Sequence, residues 1–105
     1  MSLRLVIHFE VKEDKLASFH TLMLRTRETL PQVEGCMGVE IFNSPEDPTR
    51  FMLIEAWESR LLHDRYFQYL ERSGAWGHLI SHLKTDPTSQ YFEEFGNLLP
   101  GPRQP

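Results

Sequence analysis

Apolar and polar residues alternate at the start of the chain. Leu3, Leu5, Ile7, Phe9 and Val11 fall on one side, and Arg4, His8 and Glu10 on the other. A period of two is that of a strand with one buried face. Lys12, Glu13 and Asp14 interrupt it, and Asp14 is placed to cap a helix. From residue 15 to about residue 30 the period is helical, with Leu16, Phe19, Met23 and Leu30 on one stripe that Leu22 and Leu24 widen. Pro31 stops this helix and Gly35 lets the chain turn. Residues 36–43 read as a second strand through Val39 and Ile41. The turn formers from Ser44 to Thr49 then predict a hairpin. In the third strand, residues 50–58, Phe51, Leu53, Glu55 and Trp57 share one face, and Met52, Ile54 and Ala56 share the other. Ser59 caps a helix over residues 60–72, Gly74 and Gly77 flank a weak spot, and a short helix over residues 76–84 carries Trp76, Leu79, Ile80 and Leu83 on one stripe. Asp86 and Pro87 stop it. Residues 89–95, with Tyr91, Phe92 and Phe95, form the last strand.

The order is βαββαβ with the last helix broken. It predicts an α+β fold of the ferredoxin-like, split βαβ kind: an antiparallel sheet with helices on one face. The other face would be bare in a monomer, although Val6, Met52 and Ile54 lie on it. An exposed apolar patch of this kind points to association, so a homodimer with sheets packed face to face is expected. One domain over residues 1–98 and a flexible tail over residues 99–105 account for the chain.

Composition narrows the partners. The net charge of −4 opposes nucleic acid and anionic membrane surfaces, and no apolar run approaches membrane-spanning length. No secretory signal is apparent, and the single cysteine, Cys36, cannot make an internal disulfide, so a reducing cytoplasm is the expected compartment. The 12 aromatic residues exceed what one thin core needs, which suggests a ligand cavity or a subunit interface.

Several short motifs occur in a specific order: Phe9-x-Val11-Lys12, Phe19, Glu34-Gly35-Cys36, Ser44-Pro45-Glu46-Asp47-Pro48-x-Arg50-Phe51 and Glu55-x-Trp57-Glu58-Ser59. Together they resemble the antibiotic biosynthesis monooxygenase (ABM) domain family. Asp86-Pro87-Thr88-Ser89-x-Tyr91-Phe92 resembles the closing strand of some members. The resemblance implies a dimeric α+β barrel. It implies one of three activities: cofactor-free oxidation of phenols or quinols, haem degradation, or turnover of a small signalling metabolite. The chain departs from the family at three places. Tyr66 stands where members usually carry a His on the helix after the Trp. Leu53 stands where some quinone-forming relatives use an Asn. Ile7 and Tyr66 stand where haem-degrading relatives use an Asn and a Trp, which disfavours haem degradation.

A cofactor-free oxygenase must remove a proton from the substrate, exclude water and hold the anion near oxygen. Titratable groups beside aromatics on an apolar face are therefore the candidates. With Leu62 at zero on a helical wheel, Tyr66 lies near 40°, Tyr69 near −20° and His63 near 100°, so His63 and Tyr66 can reach the space over Trp57. These three are the catalytic candidates. Glu55 shares the Trp57 face and needs a partner, for which Arg27, Tyr66 or a backbone group would serve; otherwise it is a base with a raised pKa. His20 and Arg27 fall on one side of the first helix, where a cation could hold an anionic substrate or simply snorkel. Trp76 and Tyr69 complete the substrate-binding candidates, Trp76 having also a plain anchoring reading. His78 and His82 have the spacing of a metal pair but fall on the solvent side of their helix, so no metal site is expected. His8 belongs to the subunit-facing side, and Cys36 has no motif of a nucleophile.

The expected function is an ABM-like monooxygenase that uses no bound metal, flavin or other cofactor and acts on a small aromatic or quinol-type ligand. The alternatives are a non-catalytic dimeric ligand-binding or structural module of the same fold, and turnover of a small signalling metabolite.

Overall fold

The structure, a computed structural model, describes residues 3–95. The tail expected over residues 99–105 lies outside them. Four strands, β1 (Leu3–Glu10), β2 (Cys36–Asn43), β3 (Arg50–Trp57) and β4 (Thr88–Glu93), form one antiparallel sheet in the order β2-β3-β1-β4. Helices α1 (Leu16–Thr29), α2 (Arg60–Ser73) and α3 (Ala75–Ile80) accompany it. The ferredoxin-like α+β arrangement expected from the hydrophobic pattern is the one found.

Register fixes which side chains face the helices. Leu5 pairs with Glu55 and Tyr91, Ile7 with Leu53 and Ser89, and Leu3 with Trp57 and Glu93. Residues opposite one another in a sheet point to the same face. Leu5, Ile7, Phe9, Phe51, Leu53, Glu55 and Trp57 are accordingly buried. Phe19 and Met23 on α1, and Leu30 just after it, are buried as the stripe predicts, whereas Leu24 is exposed. Phe19 sits edge-on between Phe9 and Phe51, with ring centroids 5.5 and 5.0 Å away.

Ser59 caps α2, its Oγ accepting from the Leu62 N–H at 3.2 Å. The cap expected at Asp14 does not form. Residues Glu13–Lys15 make a 3-10 turn, and Lys15 precedes α1 with no side-chain cap. The start of this segment is held by tertiary bonds instead, from the Val11 N–H to the Thr49 carbonyl and from the Lys12 N–H to the His82 carbonyl, each at 2.8 Å.

The last helix is also shorter than expected. It stops at Ile80, because the backbone beyond is drawn to the end of β1: Leu83 pairs with Val11, and the Lys84 N–H donates to the Glu10 carbonyl at 2.8 Å. This change of path carries His82 inward. It is buried, not solvent-facing: its Nδ1 bonds the His78 carbonyl and its Nε2 the Ser18 hydroxyl, both at 2.9 Å. Strand β4 ends at Glu93, which pairs with Leu3 at the start of β1, so Phe95 falls beyond the strand and is 96% exposed.

Gly35 lies where β2 begins close to α2. Its φ is +88°, and a Cβ there would come within 2.6 Å of the Leu62 side chain. Gly74, the αL residue between α2 and α3, has φ +86° and open space around it. Gly35→Ala combines left-handed strain with a clash and should cost about 2–4 kcal/mol in urea unfolding. Gly74→Ala carries only the backbone part, about 1 kcal/mol. Equal losses at the two sites would contradict the close approach of Leu62.

Candidate functional site

Strand β3 brings two chemically unlike side chains under α2. Glu55 and Trp57 are two apart and therefore share the helix-facing side. Trp57 is fully buried, and its indole N–H donates to Glu55 Oε1 at 2.9 Å. The carboxylate's partner is thus its neighbour on the strand rather than Arg27, Tyr66 or a backbone group. Burial pushes the Glu55 carboxyl above its ordinary range, and the indole hydrogen bond partly opposes this.

Helix α2 closes over the pair. The His63 and Tyr66 rings lie 5.2 and 5.7 Å from the Trp57 ring, as their helical spacing predicts. Glu55, His63 and Tyr66 line a partly open cavity of about 140 Å³. Its floor is Leu5 and Ile7 of β1. Its walls are Phe67 and Leu70 of α2, Trp76 of α3, and Pro87 and Ser89. Trp76 packs edge-on against Phe67, with centroids 5.0 Å apart, so this candidate stands on the cavity wall.

Burial lowers the His63 pKa below the ordinary imidazole value; Arg60 acts in the same direction and Asp64 against it. Burial likewise raises the Tyr66 phenol, with Glu55 adding to the effect. At neutral pH the cavity therefore holds a neutral imidazole and a neutral phenol beside a carboxyl that resists ionisation. A neutral imidazole can take up a proton.

The hydrophobic pattern misses one member of this group. It places Tyr91 on the last strand without setting which face the side chain takes. In the register Tyr91 stands opposite Leu5 and so faces the helices, where its hydroxyl meets His63 Nδ1 at 2.5 Å. Asp64 Oδ1 lies 4.0 Å from the same nitrogen. Arg60 sits over the Tyr91 ring, its guanidinium carbon 4.4 Å from the centroid. The alternation of Tyr91 with Phe92 is the signal available; which of the two faces the helices depends on the β1–β4 register.

Three candidates lie elsewhere. Tyr69 is 57% exposed and stacks on the outer side of Tyr66, at 6.5 Å between centroids. It borders an open hollow with Val33, Glu34, Leu62 and Arg65. His20 and Arg27 do come together, as the wheel predicts, but in a separate surface hollow with Met23, Leu24, Ile41 and Phe51. That hollow is on the β2 side of the sheet, whereas the His63 cavity is over β1 and β3 and beside β4. His78 and His82 have ring centroids 5.0 Å apart, and among the described residues no group of three or more His, Cys, Asp or Glu could hold a metal ion. Burial raises the Cys36 thiol, which suits a structural cysteine. No described helix is long and apolar enough to cross a membrane.

No curated protein sequence matches the chain. Solved structures do. One is an antibiotic biosynthesis monooxygenase, 20% identical, with 88% of this chain and 97% of that one covered at a TM-score of 0.78. A conserved protein of Methanosarcina mazei Go1 is 19% identical, with 90% and 93% covered at 0.79. A point mutant of SnoaB, described as a cofactor-independent oxygenase from Streptomyces nogalater, is 14% identical, with 94% and 98% covered at 0.76. At these identities the likeness is one of fold. The sequence profile of the antibiotic biosynthesis monooxygenase family matches residues 2–70, which is more than half of the chain, and the chain belongs to that family.

Proposed function

We propose that this chain is a cofactor-independent monooxygenase of small aromatic, quinol-type substrates, and that it works as a homodimer in the cytoplasm. The observation that carries the reading is the cavity in which His63, Glu55 and Tyr66 meet beside an apolar wall. A cavity reached by polar groups favours catalysis over a filled, purely structural core. Family membership and the Streptomyces nogalater neighbour, described as a cofactor-independent oxygenase, point the same way.

In this reading neutral His63 takes the proton of a ring hydroxyl through Nε2, while Tyr66 donates to the phenolate and Trp57 supports both rings from below. Tyr91 is a positioning residue. With Nδ1–H donated to the Tyr91 oxygen and facing Asp64, Nε2 keeps its lone pair. The electron-rich anion then reacts with dioxygen. A hydroquinone and O₂ give a hydroxyquinone and water: one oxygen atom replaces a ring hydrogen, the other leaves as water, and the ring supplies all the electrons. Glu55, kept neutral more readily by burial, can return a proton to the reduced oxygen.

Oxygen uptake with a panel of hydroquinones and anthrones tests the reading. His63→Ala should lower kcat by about 10²-fold or more, as loss of a general base does. Tyr66→Phe and Trp57→Phe should lower it by smaller factors. No uptake with any substrate, or no change in all three variants, would refute the proposal. Tyr91→Phe should lower kcat about tenfold with KM little changed, the value of one hydrogen bond. Above background oxidation, activity should rise with pH through an inflection below about 6.5, because the folded protein disfavours the imidazolium. An inflection at or above that value would remove His63 as the base.

The dimer rests on the other sheet face. Val6, Met52 and Ile54 are half-buried there, and Phe42 and Phe92 are 45% and 48% exposed. Light scattering at micromolar concentration should give twice the chain mass, and Ile54→Asp should give the monomer. A monomeric wild type would contradict the assembly.

A further inference from the structure

We propose that the surface hollow between α1 and strand β2 is a second binding site, which takes a small aromatic carboxylate. The hollow is separate from the His63 cavity, and the proposal does not depend on how that cavity is used.

Topology leaves the space open. In the order β2-β3-β1-β4, β2 is an edge strand of the sheet. His20, Met23, Leu24 and Arg27 of α1 line the hollow with Ile41 of β2 and Phe51 of β3. Met23 and Phe51 are 4% and 5% exposed and make an apolar floor, with Ile41 half-buried beside them. His20, Leu24 and Arg27 are exposed at the rim. The His20 ring stands edge-on to the Phe51 ring, with centroids 5.5 Å apart, so the imidazole lies beside the floor rather than reaching away from it.

The hollow has cations and no anion. None of its lining residues is Asp or Glu. Three and four residues to either side of His20 stand Leu16, Ala17, Met23 and Leu24; around Arg27 stand Met23, Leu24, Leu30 and Pro31. The helical neighbours of both are therefore uncharged. Glu28, next to Arg27, lies about 100° round the helix. On β2, Glu40 adjoins Ile41 and so points to the opposite face of the sheet. Among the described residues no ion pair or hydrogen bond engages the side chain of His20 or Arg27. A guanidinium and an imidazole thus stand together over an apolar floor in a chain of net charge −4.

A carboxylate on a flat ring matches each of these features. The Arg27 guanidinium presents a planar fork to both carboxylate oxygens. A ring N–H of His20 can donate to one of them. The ring covers Met23 and Phe51 and leaves water in doing so. A small inorganic anion uses only the rim, and an uncharged aromatic uses only the floor.

Phenylacetate, 2-phenylethanol and acetate separate the two halves. Each is titrated into the whole chain while the His20 ring protons and the α1 amides are followed by NMR. Phenylacetate should shift them saturably, with a Kd of about 1 mM or below. The alcohol, which lacks the charge, and acetate, which lacks the ring, should each bind at least about tenfold more weakly. Arg27→Gln should weaken phenylacetate by about tenfold or more. Arg27→Lys, which keeps the charge without the fork, should recover part of that loss. No saturable shift, equal affinity for the alcohol, or unchanged affinity in Arg27→Gln would overturn the site. The Trp57 and Trp76 indoles report the His63 cavity separately, and shifts confined to them would overturn it as well.

Discussion

The site depends on a carboxylate that the strand pattern forces indoors. Strand β3 alternates, and the face that buries Phe51, Leu53 and Trp57 must also bury Glu55, which is 6% exposed. An isolated carboxylate in such a place is costly. The Trp57 indole, two residues on and pointing the same way, supplies the hydrogen bond that offsets part of this cost. One contact thus does three things. It keeps the carboxyl in place, it fixes the largest aromatic ring of the core, and it leaves Glu55 on the wall of a cavity with a raised pKa. Leu in place of Glu55 would remove the carboxylate's burial cost but leave the buried Trp57 indole N–H without its acceptor.

The elements are largely readable from periodicity, because the strands have one clean apolar face and α2 a clear cap. What periodicity cannot supply is the pairing of distant segments. Leu83 fits a helical stripe, yet it pairs with Val11, since the end of β1 still has backbone groups to satisfy. His82 follows it indoors, whereas a wheel drawn for a longer helix places it in solvent. Asp14 has the right residue type for a cap, but long-range bonds at Val11 and Lys12 set how the chain approaches α1.

The same distinction holds in the site. Local arithmetic on one helix and one strand identifies His63, Tyr66 and Trp57, and the structure brings them together. It also places Glu55 on the correct face, but its partner lies next door on the strand rather than at a distance. Tyr91 escapes such arithmetic because its facing depends on strand register, which a single strand does not reveal. His20 and Arg27 show the converse: their mutual placement on α1 is right, yet nothing local could say that α1 holds them over the β2 side of the sheet, away from Trp57.

Tyr66 occupies the position at which the resemblance leads one to expect an imidazole, and this looks at first like a lost function. The geometry nevertheless supplies an imidazole close by. His63 is three residues earlier, one turn back on the same face of α2, and its ring lies against the same tryptophan. The His63 imidazole stands on the side of α2 toward β4, where the Tyr91 hydroxyl meets it. Position 66 is filled by a phenol over Trp57. The cavity therefore holds both an imidazole and a phenol.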